Sequence, residues 1–355
     1  MRAVRYHGRR DVRIDDVPAP DPGTGEVGID VTAGGICGSD LHEYVAGPHT
    51  IPDQEPHPVT GDRLPITMGH EFSGVVEDAG PGVSMAAGTR VAVNPIVWCG
   101  ECRYCTEGNY HRCTSGGFVG LSGGGGGFAE KAVVSVEKVV PLPADVSTRA
   151  AALAEPFSVG LHAVRQSRLE LGDEVAVFGC GPIGLAVSQA ARLAGATTVV
   201  AVEPRDARRE RASECGATVT IDPEGVDPVE QLRETCDGGV DVAYEVAGVE
   251  RTVTDAVRST RKGGDVTIVS LFEDETALQL NDVVLGERTI SGTLAYLGGP
   301  LSDREFGMTL EHVASGALDP ESIVTDTVSL ADVVDEGFER LLDATSDQVK
   351  ILVRP

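Results

Sequence analysis

The chain has 355 residues, 41% of them hydrophobic and 24% charged, and its formal net charge at pH 7 is −26. This length predicts about two or three domains, each large enough to bury its own core. No apolar run reaches the roughly 18 residues that a membrane-spanning helix needs. The acidic balance makes nucleic acid and anionic membranes poor partners.

The acidic residues are scattered along the whole chain, and lysine is almost absent, occurring only at positions 131, 138, 262 and 350. Repulsion among so many like charges destabilises a compact fold at low salt and is screened at high ionic strength. Two interpretations stay open. One is a halophilic host with a salty cytoplasm, which we favour, and the other is simply an acidic, soluble protein.

The first part of the chain, from residue 1 to about 156, is predicted to be rich in β-structure. Short strands at 12–14, 27–31, 74–77 and 90–93 are separated by proline and glycine. This pattern is typical of a Greek-key or partly open barrel with long loops. Five consecutive glycines at 123–127 indicate a flexible loop tip and no phosphate site, since no strand and helix flank them.

Four of the eight cysteines crowd into fifteen residues of this part, at Cys99, Cys102, Cys105 and Cys113. Such crowding in a large chain indicates a metal site rather than disulfides, and hence a cytoplasmic location. Thiolates at this spacing can close a tetrahedral zinc site that has no open position and is therefore structural. An iron–sulfur cluster has similar spacing needs but fits poorly beside the nucleotide-binding unit that follows.

A strand, a glycine-rich turn and a helix follow in the middle of the chain. The apolar strand 174–178 leads into a Gly-x-Gly-x-x-Gly turn at 179–184, a helix at 183–193 and a second apolar strand at 198–202. The glycines allow a tight turn and a close approach to a pyrophosphate, and the helix N-terminus offers free N–H groups to it. The predicted dinucleotide contacts in this turn are Gly179, Gly181, Pro182, Ile183 and Gly184.

Glu203 ends the second strand, about 20 residues beyond the glycines. A carboxylate there can accept hydrogen bonds from the adenosine ribose and would repel a 2′-phosphate, which predicts NAD as the cofactor. Arg205, Arg208 and Arg209 lie just beyond it. One of them, such as Arg208, could receive the 2′-phosphate of NADP, or all three could form a solvated helix face, which we favour.

The alternation of strand and helix continues to about residue 296 and then gives way to a mixed tail. Further strands are predicted at 217–221, 240–244, 265–269 and 289–293, with helices at 206–215, 229–235 and 250–260. About six parallel strands make a doubly wound α/β sheet. The tail is predicted to contain helices at 304–315 and 330–342 and a last strand at 349–353. If that strand returns to the first domain, the nucleotide domain 157–296 is an insertion between 1–156 and 297–355.

A second set of possible metal ligands is dispersed along the chain. Cys37, His42, His70 with Glu71, and Glu155 are weak signals alone, because a single histidine is more often a core or surface residue and Glu155 could cap a helix. Together they supply a thiolate, an imidazole and carboxylates, the ligand types of a catalytic zinc with an exchangeable position.

The sequence resembles the zinc-dependent medium-chain dehydrogenase/reductase family across essentially its whole length. The matching segments are 35–44, 69–74, the four-cysteine segment, Glu155-Pro156, the turn 179–184 and the closing 350–353. The resemblance implies a GroES-like, β-rich catalytic domain and a Rossmann NAD-binding domain. It also implies a homodimer or homotetramer formed through edge strands of the nucleotide domains.

The resemblance further implies roles for individual residues. Cys37 and His70 would be catalytic zinc ligands, and Glu71 and Glu155, the latter directly or through water, would complete the shell. Ser39 falls where the family places the hydroxyl of its proton relay, and His42 where it places the relay imidazole. The expected reaction is NAD-dependent oxidation of a secondary alcohol.

The substrate is expected from flanking segments of the sequence that match one branch of the family. Segments 37–48, 56–61, 94–99, 161–167 and 337–342 resemble the branch that interconverts 2,3-butanediol and acetoin. Sorbitol or another polyol, L-threonine and glucose remain alternative substrates. A catalytically silent nucleotide-binding protein is a further alternative, although such a protein has no need of the whole set of site residues.

Overall fold

The computed structural model describes the whole chain, Met1–Pro355. The chain divides into two compact units. The first comprises Met1–Glu155, Tyr296–Gly316 and Val324–Pro355, and the second Pro156–Ala295 and Ala317–Ile323. Each unit has its own sheets and its own hydrophobic core. No helix combines the length and the apolar character that crossing a membrane requires.

The first unit is built from twelve strands. They are β1 (Arg2–Gly8), β2 (Asp11–Asp16), β3 (Glu26–Gly35), β4 (Ile66–Thr67), β5 (Glu71–Ala79), β6 (Arg90–Val93), β7 (Ile96–Val97), β8 (Gly117–Phe118), β9 (Lys131–Ser135) and β10 (Val139–Pro141), with Val324–Ser329 and Lys350–Arg354 near the C-terminus. The main sheet runs β10-β6-β5-β3 and continues through the two C-terminal strands. β9 pairs with residues 26–30 of β3, at the end of that strand away from the C-terminal strands. The last strand pairs antiparallel with β3, Leu352 opposite Gly35.

The helices of the first unit are short and lie mostly between strands. They are α1 (Gly38–Ala46), α2 (Arg103–Thr106) and α3 (Thr148–Ala151), then α4 (Ala154–Gln166), which begins at the end of this unit. Near the C-terminus the predicted helices at 304–315 and 330–342 are only partly α-helical. The first contains the π-helical Asp303–Gly307 before the α-helical Met308–Ala314. The second begins with the 3-10 turn Leu330–Asp332, which is followed by the π-helical Val333–Phe338 and the α-helical Glu339–Leu342.

The second unit is a doubly wound Rossmann fold, and the predicted fold class is confirmed. Its strands are β11 (Glu174–Phe178), β12 (Thr198–Val202), β13 (Val219–Ile221), β14 (Val240–Glu245), β15 (Thr260–Ile268) and β16 (Thr289–Gly292). All pairs are parallel, in the order β13-β12-β11-β14-β15-β16, which is the 3-2-1-4-5-6 order of dinucleotide-binding folds. The intervening helices are α5 (Pro182–Leu193), α6 (Asp206–Glu214), α7 (Pro228–Thr235), α8 (Glu250–Ser259) and α9 (Leu280–Val284).

Continuous apolar runs explain why these parallel strands were predictable. β11 and β12 are buried on both faces, and one face of the pair, formed by Ala176, Phe178, Val200 and Val202, packs in one core cluster with residues of α7 and α8. Val324–Ser329, one of the strands that the sequence analysis did not predict, has four polar residues among its six, and only Val328 is buried. We number it β17, the last strand β18, and the two C-terminal α-helices α10 (Met308–Ala314) and α11 (Glu339–Leu342).

Candidate active site

Two neighbouring strands bring the first set of predicted ligands together. Cys37 follows β3 and is the N-cap of α1, and Glu71 is the first residue of β5, directly after His70. β3 and β5 pair with Gly35 opposite Glu71, so the two chain segments meet at one point. The ligand atoms of Cys37, His70 and Glu71 all lie within 4.8 Å of one another.

The chemistry of this cluster fits a catalytic zinc. Thiol, imidazole and carboxylate are the protein ligands that zinc takes, and three protein ligands leave a fourth position open for substrate. His70 and Glu71 are buried, and Cys37 is half-buried. Burying a polar side chain without a partner costs free energy, so the burial of His70 and Glu71 is expected if they bind a metal.

Asp40 orients His70 and was missed by the sequence analysis. Its carboxylate is buried, accepts a hydrogen bond from the Cys37 N–H at 2.9 Å, and lies 3.5 Å from Nδ1 of His70. Burial alone would lower the pKa of His70, but the charges of Asp40 and Cys37 outweigh burial and raise that pKa well above its usual range. With Nδ1 turned toward Asp40, Nε2 is left for a metal.

Ser39 and His42 extend from this cluster along α1. The Ser39 hydroxyl lies 3.3 Å from Nε2 of His70, so it is at the metal-facing side of the imidazole. His42 lies one helical turn further on and is exposed to solvent. Ser39 is half-buried and His42 is exposed, so exposure to solvent increases along this turn of the helix.

Glu155 and Tyr296 lie beside the cluster. Glu155 is buried in the first turn of α4, and burial raises its pKa to about 7, with His70 opposing this rise and Glu71 adding to it. The Tyr296 phenol faces the Glu155 carboxylate and interacts with it electrostatically. The fully buried Tyr296 hydroxyl makes no hydrogen bond of good geometry. The Phe306 ring packs against the Tyr296 ring at 5.8 Å. No motif marks Tyr296, because it lies about 140 residues from Glu155 in the sequence.

Lys350 of β18 is a further residue at the site that sequence reasoning did not assign. Its ammonium donates to the Ile36 carbonyl at 2.8 Å and to Oε1 of Glu71 at 2.6 Å. Burial would lower the pKa of Lys350, but the charges of Glu71 and Cys37 outweigh burial and raise it. Lys350 therefore stays charged and holds Glu71 beside the cluster.

The four clustered cysteines form a second group of candidate metal ligands. Their sulfurs are separated by 4.0 Å for Cys99 and Cys105, 3.6 Å for Cys102 and Cys105, and 3.9 Å for Cys102 and Cys113. A tetrahedral zinc with bonds of about 2.3 Å places its sulfurs roughly 3.8 Å apart, so the geometry fits. Backbone N–H groups of Cys105 and Thr114 lower the pKa of Cys102 to about 6, which makes it a thiolate at neutral pH.

The glycine-rich turn of the second unit has the form expected of a pyrophosphate site. α5 begins with Pro182 at its first position, Gly181 is its N-cap, and no atom lies within 4 Å of where a Gly181 side chain would start. A side chain at Gly184 would lie 1.9 Å from the Gly179 carbonyl, so only glycine allows the helix to pack this closely. Ile183 follows Pro182 in the first turn of the helix.

Glu203 is buried at the end of β12 and touches this turn. It accepts hydrogen bonds from the Cys180 N–H at 2.8 Å and from the Arg205 N–H at 3.1 Å. The Arg209 guanidinium binds neighbouring protein groups. It donates to the Glu203 and Pro204 carbonyls at 2.6 Å and forms an ion pair with Asp206. Arg208 differs, since its buried Nε has no hydrogen-bond partner and burial lowers its pKa.

Comparison with known proteins assigns this architecture to a class. Residues 23–144 match the alcohol dehydrogenase GroES-like domain, and residues 182–314 match the zinc-binding dehydrogenase domain. Together the two matches cover most of the chain. The chain belongs to the zinc-dependent medium-chain dehydrogenase family, whose members use zinc and a nicotinamide dinucleotide.

Individual relatives are similar over the full length. The chain is 44% identical to (R,R)-butanediol dehydrogenase of Bacillus subtilis over 358 residues, covering 100% of both chains. The crystal structure of 2R,3R-butanediol dehydrogenase from the same organism matches with a TM-score of 0.93 and 43% identity, covering 100% of this chain and 99% of that one. A zinc-binding dehydrogenase structure from Sinorhizobium meliloti, bound to NADP, matches with a TM-score of 0.89 and 32% identity, covering 100% and 99%.

Proposed function

We propose that this dehydrogenase interconverts 2,3-butanediol and acetoin with NAD. The cluster of Cys37, His70 and Glu71, with the Ser39 hydroxyl 3.3 Å from His70, is the observation that carries the proposal. The 44% identity to a butanediol dehydrogenase directs it toward this substrate. We further propose domain boundaries at 1–156 with 297–355 for the catalytic domain and 157–296 for the NAD-binding domain.

The protein's own residues would hold the metal and move the proton. Cys37, His70 and Glu71 would hold the catalytic zinc, with Glu155 as a ligand directly or through water. When bound, zinc is a Lewis acid that lowers the pKa of the substrate hydroxyl. Ser39 would take the hydroxyl proton and pass it to His42, which is exposed and can release it to solvent.

A vicinal diol suits the polar groups beside the cluster. A diol bound through one hydroxyl carries a second oxygen on the next carbon. The Tyr296 hydroxyl and the Glu155 carboxyl are both buried there, and the former is without a full hydrogen bond. A donor and an acceptor at this position would bind the second oxygen of 2,3-butanediol or of acetoin.

NAD is the proposed cofactor. The turn 179–184 would bind the pyrophosphate at the N-terminus of α5, and the nicotinamide would accept the hydride when bound. Glu203 supports NAD over NADP, because its buried carboxylate would repel a 2′-phosphate. Arg208, with its unpartnered Nε, is the residue that would favour NADP. Steady-state kinetics with both cofactors decide between them, and a preference for NADP would refute the role given to Glu203.

The assembly and the cellular setting are also proposals. Leu271, Leu280, Val284, Leu285 and Leu294 are exposed near edge strand β16, which supports a homodimer or homotetramer through that edge. The four closely spaced free cysteines support a cytoplasmic location. The charge of −26 supports a halophilic host. Sedimentation tests the assembly, and thermal unfolding that is unchanged between low and molar salt would refute salt adaptation.

NADH formation by the purified protein in high salt tests the main proposal. The substrates are (R,R)-2,3-butanediol, sorbitol, L-threonine and glucose, each with and without a chelator. Selective, chelator-sensitive oxidation of the diol is the expected result. Selective oxidation of another substrate would refute the substrate assignment, and no oxidation of any alcohol by protein that carries two zinc ions would refute the proposed activity.

A further inference from the structure

Glu43 is a buried carboxylate on α1 that the proposed mechanism does not use. The residue is 1% exposed, and its two oxygens accept hydrogen bonds from the segment that follows the helix. Oε1 accepts from the Thr50 N–H and hydroxyl, both at 2.6 Å, and from the Ile51 N–H at 3.3 Å. Oε2 accepts from the His49 N–H at 2.9 Å. One side chain therefore organises three consecutive residues of the segment 47–51.

All these partners are uncharged, so the buried charge is stabilised by converging N–H and O–H dipoles. Hydrogen bonds to a charged acceptor are stronger than those between neutral groups, which makes this carboxylate a firm anchor. The segment approaches the carboxylate closely at Gly47, where a side chain would start 2.3 Å from Oε2 of Glu43. The Tyr6 hydroxyl also donates to the Glu43 carbonyl at 2.9 Å, which fixes the same helical turn from β1.

This anchor lies on the helix that carries the relay. Asp40 and Glu43 are three residues apart and both buried, so they share the inner face of α1, while His42 lies on its exposed face. Asp40 binds the Cys37 N–H at the start of the helix, and Glu43 binds the segment 47–51 at its end. Ile51, which Glu43 holds, packs in the same core cluster as Ile36, the residue before Cys37.

We propose that Glu43 is a positioning residue for proton transfer: its carboxylate holds the segment 47–51 against α1 and so fixes the helical turn that presents His42. The inference rests on the proposed relay through Ser39 and His42. Without the anchor, the helix end and this segment would be joined by the backbone hydrogen bonds from the Gly47 N–H to the carbonyls of His42 and Glu43, 3.1 and 3.0 Å long.

Glu43→Gln tests the proposal, because it keeps the size of the side chain but turns an amide donor toward the His49 N–H. Hydrogen exchange of the amides 49–51 should become faster in the variant, while both zinc ions stay bound. Turnover of the diol at saturating substrate should fall roughly tenfold, since misplacing a proton-transfer group costs one to two orders of magnitude. Added imidazole buffer should restore most of it, and KM should change little.

Tyr44→Phe is the matched control. It removes the next residue's hydrogen bond to Glu339, 2.7 Å long, from the same helix and leaves the segment 47–51 untouched. Turnover in this variant should match the wild type.

Faster exchange of amides 49–51 in Glu43→Gln with wild-type turnover would overturn the positioning role and leave the proposed function standing. A fall in turnover that imidazole does not restore, or that accompanies zinc loss, would reduce Glu43 to a structural role and overturn the proposal. Unchanged exchange at 49–51 would overturn the anchor itself, whatever the activity. Wild-type protein that oxidises no diol would refute the proposed function, and the relay role of Glu43 with it.

Discussion

Lys350 and Glu71, 279 residues apart, form an ion pair buried in the first unit. The ammonium lies 2.6 Å from Oε1 and 2.5 Å from Oε2 of the carboxylate. Both side chains are almost completely removed from solvent, 1% and 0% exposed. The pair joins the first residue of β5 to the first residue of β18. It therefore links the cluster of Cys37, His70 and Glu71 to the strand by which the C-terminus returns to the main sheet.

Replacing one partner of this pair should be strongly destabilising. In protein from which the catalytic zinc has been removed, Lys350→Met leaves the Glu71 carboxylate buried without a counter-charge, and we expect the free energy of unfolding to fall by about 3–5 kcal/mol. Urea unfolding in high salt measures the effect. The double variant Lys350→Met/Glu71→Gln should recover part of the loss, because it removes the unpaired charge. Equal or greater destabilisation in the double variant would show that the pair contributes packing rather than charge.

The two metal sites should be separable by substitution. Cys37→Ala should remove the catalytic zinc and all activity but keep the fold, because the cluster of Cys99, Cys102, Cys105 and Cys113 is independent of it. Cys102→Ser should remove the other zinc and expose the segment 99–113 to protease. Elemental analysis should give one zinc per chain in each variant and two in the wild type. Two zinc ions in Cys37→Ala would exclude Cys37 as a required ligand.

His42→Ala should separate the relay from metal binding. We expect turnover to fall about a hundredfold, the range of a lost proton-transfer group, with both zinc ions retained. The measurement is NADH formation alongside zinc content, and His312→Ala, a histidine of the same unit on α10, is the control. Loss of zinc in His42→Ala would make His42 a ligand and contradict the relay.

The sequence predicted all six strands of the second unit, but it missed α9 and placed the start of β15 five residues too late, at 265 instead of Thr260. β11 and β12 are uninterrupted apolar runs that end in a glycine turn or an acidic residue, so their bounds can be read directly. The C-terminal π-helical turns could not be predicted, because their periodicity is close to that of an α-helix over so few residues.

The candidate site was predictable only where its residues lie in short motifs. Cys37 and the His70-Glu71 pair stand out by type and spacing, and the structure brings their ligand atoms together. Asp40 could have been found, because it lies three residues after the helix N-cap, where an acidic side chain reaches back to the backbone. Lys350 and Tyr296 could not, since only the pairing of β18 with β3 and the chain's return at 296 bring them to the site.

Lys138 should make the stability of the protein depend on pH in the alkaline range. Burial lowers the pKa of its ammonium from 10.5 to about 7, against a small opposing effect of Glu137, and its Nζ lies 4.1 Å from the centre of the Trp98 ring. Between pH 7 and 10.5 the unfolded chain thus binds one more proton than the folded chain at this residue, so the free energy of unfolding rises with pH across this window.

Two substitutions test this pH dependence. In Lys138→Met the rise in the free energy of unfolding with pH should vanish, whereas Lys262→Met, which removes an exposed lysine, should keep it. Urea midpoints at pH 7 and about pH 9.5, followed by the fluorescence of Trp98, the single tryptophan, measure the difference. The same pH dependence in the wild type and Lys138→Met would mean that the Lys138 ammonium keeps its ordinary pKa in the folded protein, held in its charged form by the face of the Trp98 ring.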